Sequence, residues 1–177
     1  MPATKLSSQL VGAYGEKVVE AALLRLGWMP SNINATVKNA KRFDILAQAP
    51  DWKRAVPIRV KTCGPDQEAF QYNFKVGPVP MDDLNDIDVT VLVAMGKVAA
   101  GDRFYVVPTR IVRLALEAAR VAFYSVPRRD GGKRVETTQI TLWLRPLRRG
   151  KDDNQHGFAQ RWECYRDGWG LLSADSI

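Results

Sequence analysis

The stretches Arg42-Phe43-Asp44-Ile45-Leu46 and Val56-Pro57-Ile58-Arg59-Val60-Lys61-Thr62 decide the fold. Both are short, apolar and alternating, which predicts two β-strands, over 42–47 and 55–62, joined by a hairpin turn over 48–54. In the second strand the three apolar residues take one face, and Arg59 and Lys61 share the other. Asp44 lies between two apolar neighbours that would face the core if Asp44 faces away from it. The hairpin is therefore expected to bring one acid and two cations together.

The flanking sequence predicts further helices and strands around this hairpin. Ser7 and Ser8 can cap a helix over 8–26 that Gly27 ends, and Gly12 and Gly15 within it indicate close packing against another backbone or a ligand. Thr109 can cap a second helix. The other predicted elements are a short strand at 28–30, a third strand of the meander at 71–76, a central strand at 88–95, a strand at 103–108, a helix at 110–120, a hairpin at 122–144 and a short terminal helix at 161–169.

Length and composition favour one basic globular domain. A chain of 177 residues with 46% hydrophobic content can bury a full core, so we expect a single domain over 1–177, with a core at about 8–120 and an extension at 121–177. The 26 Lys and Arg residues against 19 Asp and Glu give a net charge of +7, which favours a polyanionic partner.

Other sequence features narrow the class of protein. Cys63 and Cys164 are far apart and form no zinc-type spacing, so both are expected to be reduced thiols in a cytoplasmic protein. No apolar run reaches the roughly 20 residues that cross a membrane, and the N-terminus lacks a signal-peptide pattern. Without a Gly-rich phosphate loop or a nucleophile with a partner His, nucleotide hydrolysis and acyl transfer have no support.

The predicted hairpin has the parts that phosphodiester hydrolysis requires. That reaction needs Mg²⁺ held by one or two carboxylates, together with a cation beside the reacting phosphate. Asp44 and Lys61 would supply one of each. An acid and a Lys on neighbouring strands more often form a solvated ion pair, so the flanking sequence has to decide between the two interpretations.

The flanking sequence resembles the PD-(D/E)XK nuclease superfamily. Gly12-Ala13-Tyr14-Gly15-Glu16, Arg42-Phe43-Asp44-Ile45-Leu46-Ala47 and Ile58-Arg59-Val60-Lys61-Thr62 are similar in order and spacing to its helix acid, metal-binding Asp and final Lys. The strands at 71–76, 88–93 and 104–108 look similar to the branch of Holliday-junction resolvases and intron-encoded homing endonucleases. The resemblance covers about 8–120, and more weakly 162–172. It implies an α/β restriction-endonuclease-like fold, a mixed β-sheet flanked by helices, with the predicted hairpin and short helix added at the C-terminal end.

The resemblance also implies roles for individual residues. Asp44 would bind Mg²⁺, Lys61 would act at the reacting phosphate, and Glu16 would assist from the helix as a catalytic residue or metal ligand. Arg59 occupies the position where the superfamily has an acid or Gln, and a guanidinium about 5 Å from Mg²⁺ repels it by on the order of 5 kcal/mol. Three outcomes stay open: Glu68 or Asp66 moves in as a metal ligand, Arg59 turns away to contact DNA, or the site loses metal and clamps phosphate.

Basic residues cluster elsewhere as well. Arg42 begins the first strand of the hairpin, and eight more cations lie in two segments that the hairpin at 122–144 would bring together: Arg128, Arg129, Lys133 and Arg134, then Arg145, Arg148, Arg149 and Lys151. A ridge that binds DNA phosphates is one interpretation, and two solvated loops are the other.

These observations predict a DNA-binding protein of the PD-(D/E)XK endonuclease type, which hydrolyses phosphodiester bonds with Mg²⁺ if the site is intact. The alternatives are an inactive nuclease-like module that binds DNA, and an immunity or accessory protein whose partners are proteins. Homodimer formation is left open.

Overall fold

A computed structural model of the chain describes residues 6–33, 43–65, 67, 69–73, 88–125, 127–128, 130–134, 139–144 and 162–173. The elements in chain order are α1 (Ser8–Arg25), β1 (Met29–Asn32), β2 (Ile45–Gln48), β3 (Ala55–Cys63), β4 (Ala69–Asn73), β5 (Val89–Ala94), β6 (Arg103–Pro108), α2 (Thr109–Ser125) and β7 (Gln139–Trp143). Short 3₁₀ turns occupy Ala99–Gly101, Trp162–Tyr165 and Trp169–Ser173.

The main sheet is mixed and has five strands, in the order β1-β2-β3-β5-β6. β1, β2 and β3 are antiparallel neighbours, β3 and β5 are parallel with Ile58 opposite Val89, and β6 returns antiparallel to β5. All six residues of β5 are buried, as a central strand covered on both faces requires. The fold is an α/β fold with a mixed sheet flanked by helices, as the sequence predicts.

Helix α1 covers one face of this sheet. Ser7 caps it by accepting a hydrogen bond from the Leu10 amide at 3.3 Å, and Gly27 ends it with φ of 82°. The inward side contributes Val19 and Leu23, which pack in one cluster with the valines and isoleucines of β2, β3 and β5. This face of the sheet is an aliphatic core.

Gly15 is where α1 and β3 approach most closely. A Cβ at this position would clash with the Thr62 hydroxyl and lie 2.8 Å from Thr62 Cβ. The prediction of tight packing is thus confirmed for Gly15. Gly12 differs, because a Cβ there would meet no other atom within 4 Å among the described residues.

The loop between β5 and β6 is tied to α1. Tyr14 donates its hydroxyl hydrogen bond to Asp102, and the other oxygen of that carboxylate accepts from the Gly96 amide at 2.8 Å. The hydrogen bond to Asp102, aided by burial, raises the pKa of Tyr14 to about 12. The loop is therefore held by charge-assisted hydrogen bonds on both sides of one acid.

The opposite face of the sheet is covered by α2 and by a second sheet of two strands, β4 and β7. Here two predictions were wrong. The strand expected to extend the β2–β3 meander exists as β4, but its partner is β7, with Phe70 opposite Leu142. The expected hairpin at 122–144 does not form from neighbouring segments: residues 122–125 continue α2, and β7 pairs with β4.

The C-terminal segment, Trp162 to Ser173, folds around the edge of β6. Trp162 is buried with α2 and β7, whereas Leu172 is buried on the α1 side of the sheet. Between them Arg166 forms a bridge with Tyr105, and the Asp167 amide donates to the Phe104 carbonyl at 2.9 Å. The expected short helix is present as two 3₁₀ turns, and the segment closes this edge of the sheet.

Within the part of the chain that the structure describes, no helix combines the length and apolarity needed to cross a membrane. Neither cysteine forms a disulfide: Cys63 is buried, with its thiol donating to the Gln67 carbonyl at 2.9 Å, and Cys164 is exposed.

Candidate phosphate-binding site

Strand β3 separates its side chains between the two faces of the sheet. Val56, Ile58 and Val60 are buried in the aliphatic core beneath α1. Because side chains alternate along a strand, Arg59 and Lys61 point to the opposite face, toward β4. Both are partly exposed.

Asp44 is fixed beside these two cations by hydrogen bonds to β3. It directly precedes β2, its amide donates to the Ile58 carbonyl at 2.9 Å, and its Oδ2 accepts from the Val60 amide at 2.7 Å. The carboxylate therefore lies against the backbone between Arg59 and Lys61. A carboxylate that accepts a backbone N–H is held in place.

Tyr72 of β4 completes the site. The Lys61 ammonium lies over the Tyr72 ring, with Nζ 5.1 Å from the ring centroid. Burial lowers the pKa of Lys61 below its usual value and the nearby Arg59 lowers it further, while Asp44 acts in the opposite direction. Burial likewise raises the pKa of Tyr72, and this group also interacts electrostatically with Arg59 and Asp44. The four side chains thus form one partly dehydrated, electrostatically coupled cluster.

Sequence reasoning missed Tyr72 because it lies in the second sheet. Its strand does alternate, with Phe70 and Tyr72 buried and Gln71 and Asn73 exposed. That pattern shows that the Tyr faces inward. It does not show that β4 crosses over Lys61. That placement depends on the pairing of β4 with β7, which lies about 70 residues later in the chain.

Glu16 lies on α1 and contacts β1. Its Oε2 accepts from Asn32 Nδ2 at 2.9 Å, and the same amide nitrogen donates to Glu20 at 2.7 Å. Because Gly15 packs against Thr62, α1 covers the face of β3 opposite to the one that carries Lys61. The residue after Asn32, Ile33, donates its amide hydrogen bond to the Asp44 carbonyl at 2.9 Å. Asn32 therefore lies close to Asp44. The role of Glu16 in the reaction stays a prediction, and Asn32 and Glu20 are neighbours that the sequence did not indicate.

The predicted basic ridge is only partly within the described chain. Arg128 pairs with Asp130 at 3.3 Å, Arg134 lies 4.4 Å from the centroid of the Phe123 ring, and Lys133 is exposed. All three belong to the loop after α2. The remaining predicted contacts lie outside the described residues, namely Arg42, Arg129, Arg145, Arg148, Arg149 and Lys151.

Mg²⁺ prefers oxygen ligands and commonly takes one or two carboxylates from a protein. Among the residues that the structure describes, no group of three His, Cys, Asp or Glu side chains could hold a metal ion. Asp44 is the acid that lies beside Lys61, and it shares its surroundings with the Arg59 guanidinium. Glu68 and Asp66, the predicted substitutes for the second acid, lie outside the described residues. The described side chains therefore fit a phosphate better than they fit a divalent cation.

Comparison with known proteins supports the fold. No family model matches the chain. No curated protein sequence matches it either. Among solved structures it is similar to a bacterial homing endonuclease, I-Ssp6803I, with a TM-score of 0.50 and 16% sequence identity over 95% of this chain and 92% of that one. At this identity the likeness shows a nuclease-like α/β fold.

Proposed function

We propose that this protein binds DNA through phosphate contacts made by Arg59 and Lys61, in the cluster that they form with Asp44 and Tyr72, on a fold of the endonuclease type. The observation that carries the proposal is the convergence of Arg59 and Lys61 on one face of β3, beside Asp44 and beneath β4. The net charge of +7 adds a long-range attraction for a polyanion.

The two cations suit different parts of a phosphodiester. Arg59 offers a planar fork of donors that matches two phosphate oxygens, whereas Lys61 offers a compact point charge. Lys61 is partly dehydrated by Tyr72, so less water has to be displaced when an anion arrives. Asp44 offsets part of their mutual repulsion, because its charge acts on Lys61 in the direction opposite to that of Arg59.

Direct binding measurements test this proposal. Fluorescence anisotropy with a labelled duplex should show an affinity that falls steeply as salt rises. Arg59→Ala and Lys61→Ala should each weaken binding and reduce the slope of log K against log salt by about 1. Lys17→Ala removes an exposed cation paired with Glu20 on α1 and serves as the matched control. Unchanged affinity in both site variants would contradict the proposal, and wild-type protein that binds no DNA at low salt would favour a protein partner instead.

Phosphodiester hydrolysis is the second candidate function. It is supported by the juxtaposition of Asp44 and Lys61, which match in order the metal-binding Asp and final Lys of the PD-(D/E)XK pattern, and by the nuclease-like fold. If Mg²⁺ binds, Asp44 would be a ligand and the ion would supply the Lewis acid for the reaction. Lys61 would stabilise the charge that develops on the phosphate.

A plasmid assay separates the two candidates. Wild-type protein and Asp44→Ala are incubated with supercoiled plasmid and Mg²⁺ or Mn²⁺. Nicking by the wild type alone supports hydrolysis. Equal digestion by both indicates a contaminating nuclease, and intact plasmid together with tight binding identifies a binding module without catalysis. Sedimentation with and without DNA would show whether the protein acts as a homodimer.

A further inference from the structure

The loop that joins β2 to β3 is a rigid hairpin tip. The Ala49 amide donates to the Arg54 carbonyl at 2.8 Å, and the Trp52 amide donates to the Ala49 carbonyl at 3.0 Å. The Lys53 amide donates to the Asp51 carboxylate at 3.0 Å, and Gln48 Nε2 donates to the Arg54 carbonyl at 3.0 Å. The side chains at this tip are thus presented by a well-bonded turn.

Trp52 is an unusual residue for its place in that turn. Its φ is 62°, in the left-handed region that favours Gly and that bulky side chains rarely adopt. In hairpin loops of this kind the left-handed position after the turn is ordinarily given to Gly. Trp52 is also 67% exposed, so burial of its ring does not compensate for the backbone conformation. Backbone strain of this type collects at positions that serve a function.

The surroundings of Trp52 are basic. Lys53 is exposed next to it, and the Arg54 guanidinium lies 6.0 Å from the centroid of the buried Trp28 ring, which orients it at the base of the tip. Asp51 is the acid of the turn, and its carboxylate is engaged by the Lys53 amide. An exposed aromatic ring beside cations is the combination that proteins use to stack on bases while they bind the backbone of a nucleic acid.

The tip lies on the same hairpin as the phosphate-binding cluster. Arg59 and Lys61 follow Ala55 by four and six residues on β3. At a rise of about 3.3 Å per residue, the cluster is about 13–20 Å from the start of the strand. One DNA strand covers that distance in about four to six nucleotides, and the three residues from Ala55 back to Trp52 add at most about 10 Å, or about three nucleotides. A single DNA molecule can therefore reach both places.

We infer that Trp52 is a second DNA contact that stacks on an unpaired base, with Lys53 at a neighbouring phosphate, so that the protein prefers DNA with a single-stranded segment over a continuous duplex. This inference rests on the proposed function. The reason for the preference is that the faces of bases inside an intact duplex are already stacked, whereas an unpaired base offers a free face to the ring. The Trp52 site is distinct from the cluster around Lys61, because its ring would stack on an unpaired base whereas the cluster would bind phosphate.

The test compares two DNA molecules of about four helical turns, identical except that one carries a central gap of about six nucleotides, which leaves a stable duplex on each side. Wild-type protein should bind the gapped molecule more tightly. Trp52→Gly should weaken binding to it by about tenfold, leave intact-duplex affinity nearly unchanged and leave the salt slope unchanged. Trp52→Phe, which keeps an aromatic ring, should retain most of the preference. Lys53→Ala should weaken binding to the gapped molecule and reduce the salt slope by about 1.

Two controls separate this inference from its alternatives. Gly accepts a positive φ, so Trp52→Gly should melt no lower than the wild type, and a loss of binding cannot then come from unfolding. Val98→Ala shortens another exposed apolar side chain, 69% exposed, and should bind both DNA molecules normally. Equal binding of gapped DNA by wild type and Trp52→Gly overturns the inference alone. Failure of the wild type to bind either molecule overturns the proposed function and this inference with it.

Discussion

The charge of Lys61 gives the proposed site a pH dependence. Its pKa in the free protein is lowered by burial and by Arg59, and a bound phosphate would raise it again. Between those two pKa values binding takes up a proton, so DNA affinity should fall as the pH rises through the lowered pKa toward the ordinary Lys value of about 10.4. Anisotropy titrations over this range should show the decline for the wild type. Lys61→Arg, whose side chain stays charged, should show a flat profile; a decline of equal size in this variant would contradict the assignment to Lys61.

Asp44 should have opposite effects on binding and on cutting. In the absence of metal its carboxylate opposes an incoming phosphate, so Asp44→Asn should bind DNA more tightly, by about threefold to tenfold, which corresponds to on the order of 1 kcal/mol. The Asn carbonyl oxygen can still accept from the Val60 amide, which keeps the local fold. Any Mg²⁺-dependent nicking should be lost. Glu117→Gln, an exposed acid on α2, is the control and should change neither property.

At the scale of single residues, the sequence predicts those side-chain positions that follow from the alternation of residues along one strand. The shared face of Arg59 and Lys61, and the place of Asp44 beside them, follow from local patterns and from one short hairpin. Tyr72 and Asn32 could not be predicted in the same way. Their contacts join segments whose relative position depends on how the whole chain folds.

At the scale of elements, the two glycines of α1 should respond in opposite ways to the same substitution. Gly15→Ala places a methyl group against the stiff, branched Thr62 side chain and should destabilise the fold by about 2 kcal/mol. Gly12→Ala meets open space and should stabilise the helix by about 0.5–1 kcal/mol. Urea denaturation of both variants measures the free energies of unfolding. Adding Thr62→Ala should recover much of the loss in Gly15→Ala, and similar changes at both glycines would refute this account of the packing.

The elements themselves were largely predictable, and their pairing was not. Period-2 alternation identifies β2 and β3, and short apolar runs identify β5 and β6, without knowledge of the fold. The partnership of β4 with β7 joins Ala69–Asn73 to Gln139–Trp143, and no local pattern specifies a contact over such a separation. Residues 121–124, Val-Ala-Phe-Tyr, have strand-like composition, yet they continue α2 because the preceding helical turn packs Ala115, Leu116 and Ala119 into the core.

At the scale of the whole molecule, the segment Trp162–Ser173 connects the two cores on either side of the sheet. Leu172 is fully buried on the α1 side, so Leu172→Ala should lower the free energy of unfolding by about 3 kcal/mol. Leu24→Ala, at a position that is 61% exposed, should change it by less than about 0.5 kcal/mol. Chemical denaturation measures both. Equal, small effects would show that this segment contributes little to holding the sheet.

Strand β3 has one apolar face and one charged face, and this division should be visible when the strand is mutated position by position. If every position from Val56 to Lys61 were replaced by all other amino acids, a screen for protein abundance would mainly report damage at Val56, Ile58 and Val60. A screen for nucleic-acid retention, corrected for abundance, would mainly report Arg59 and Lys61. The positions that tolerate substitution least should therefore be offset by one residue between the two screens.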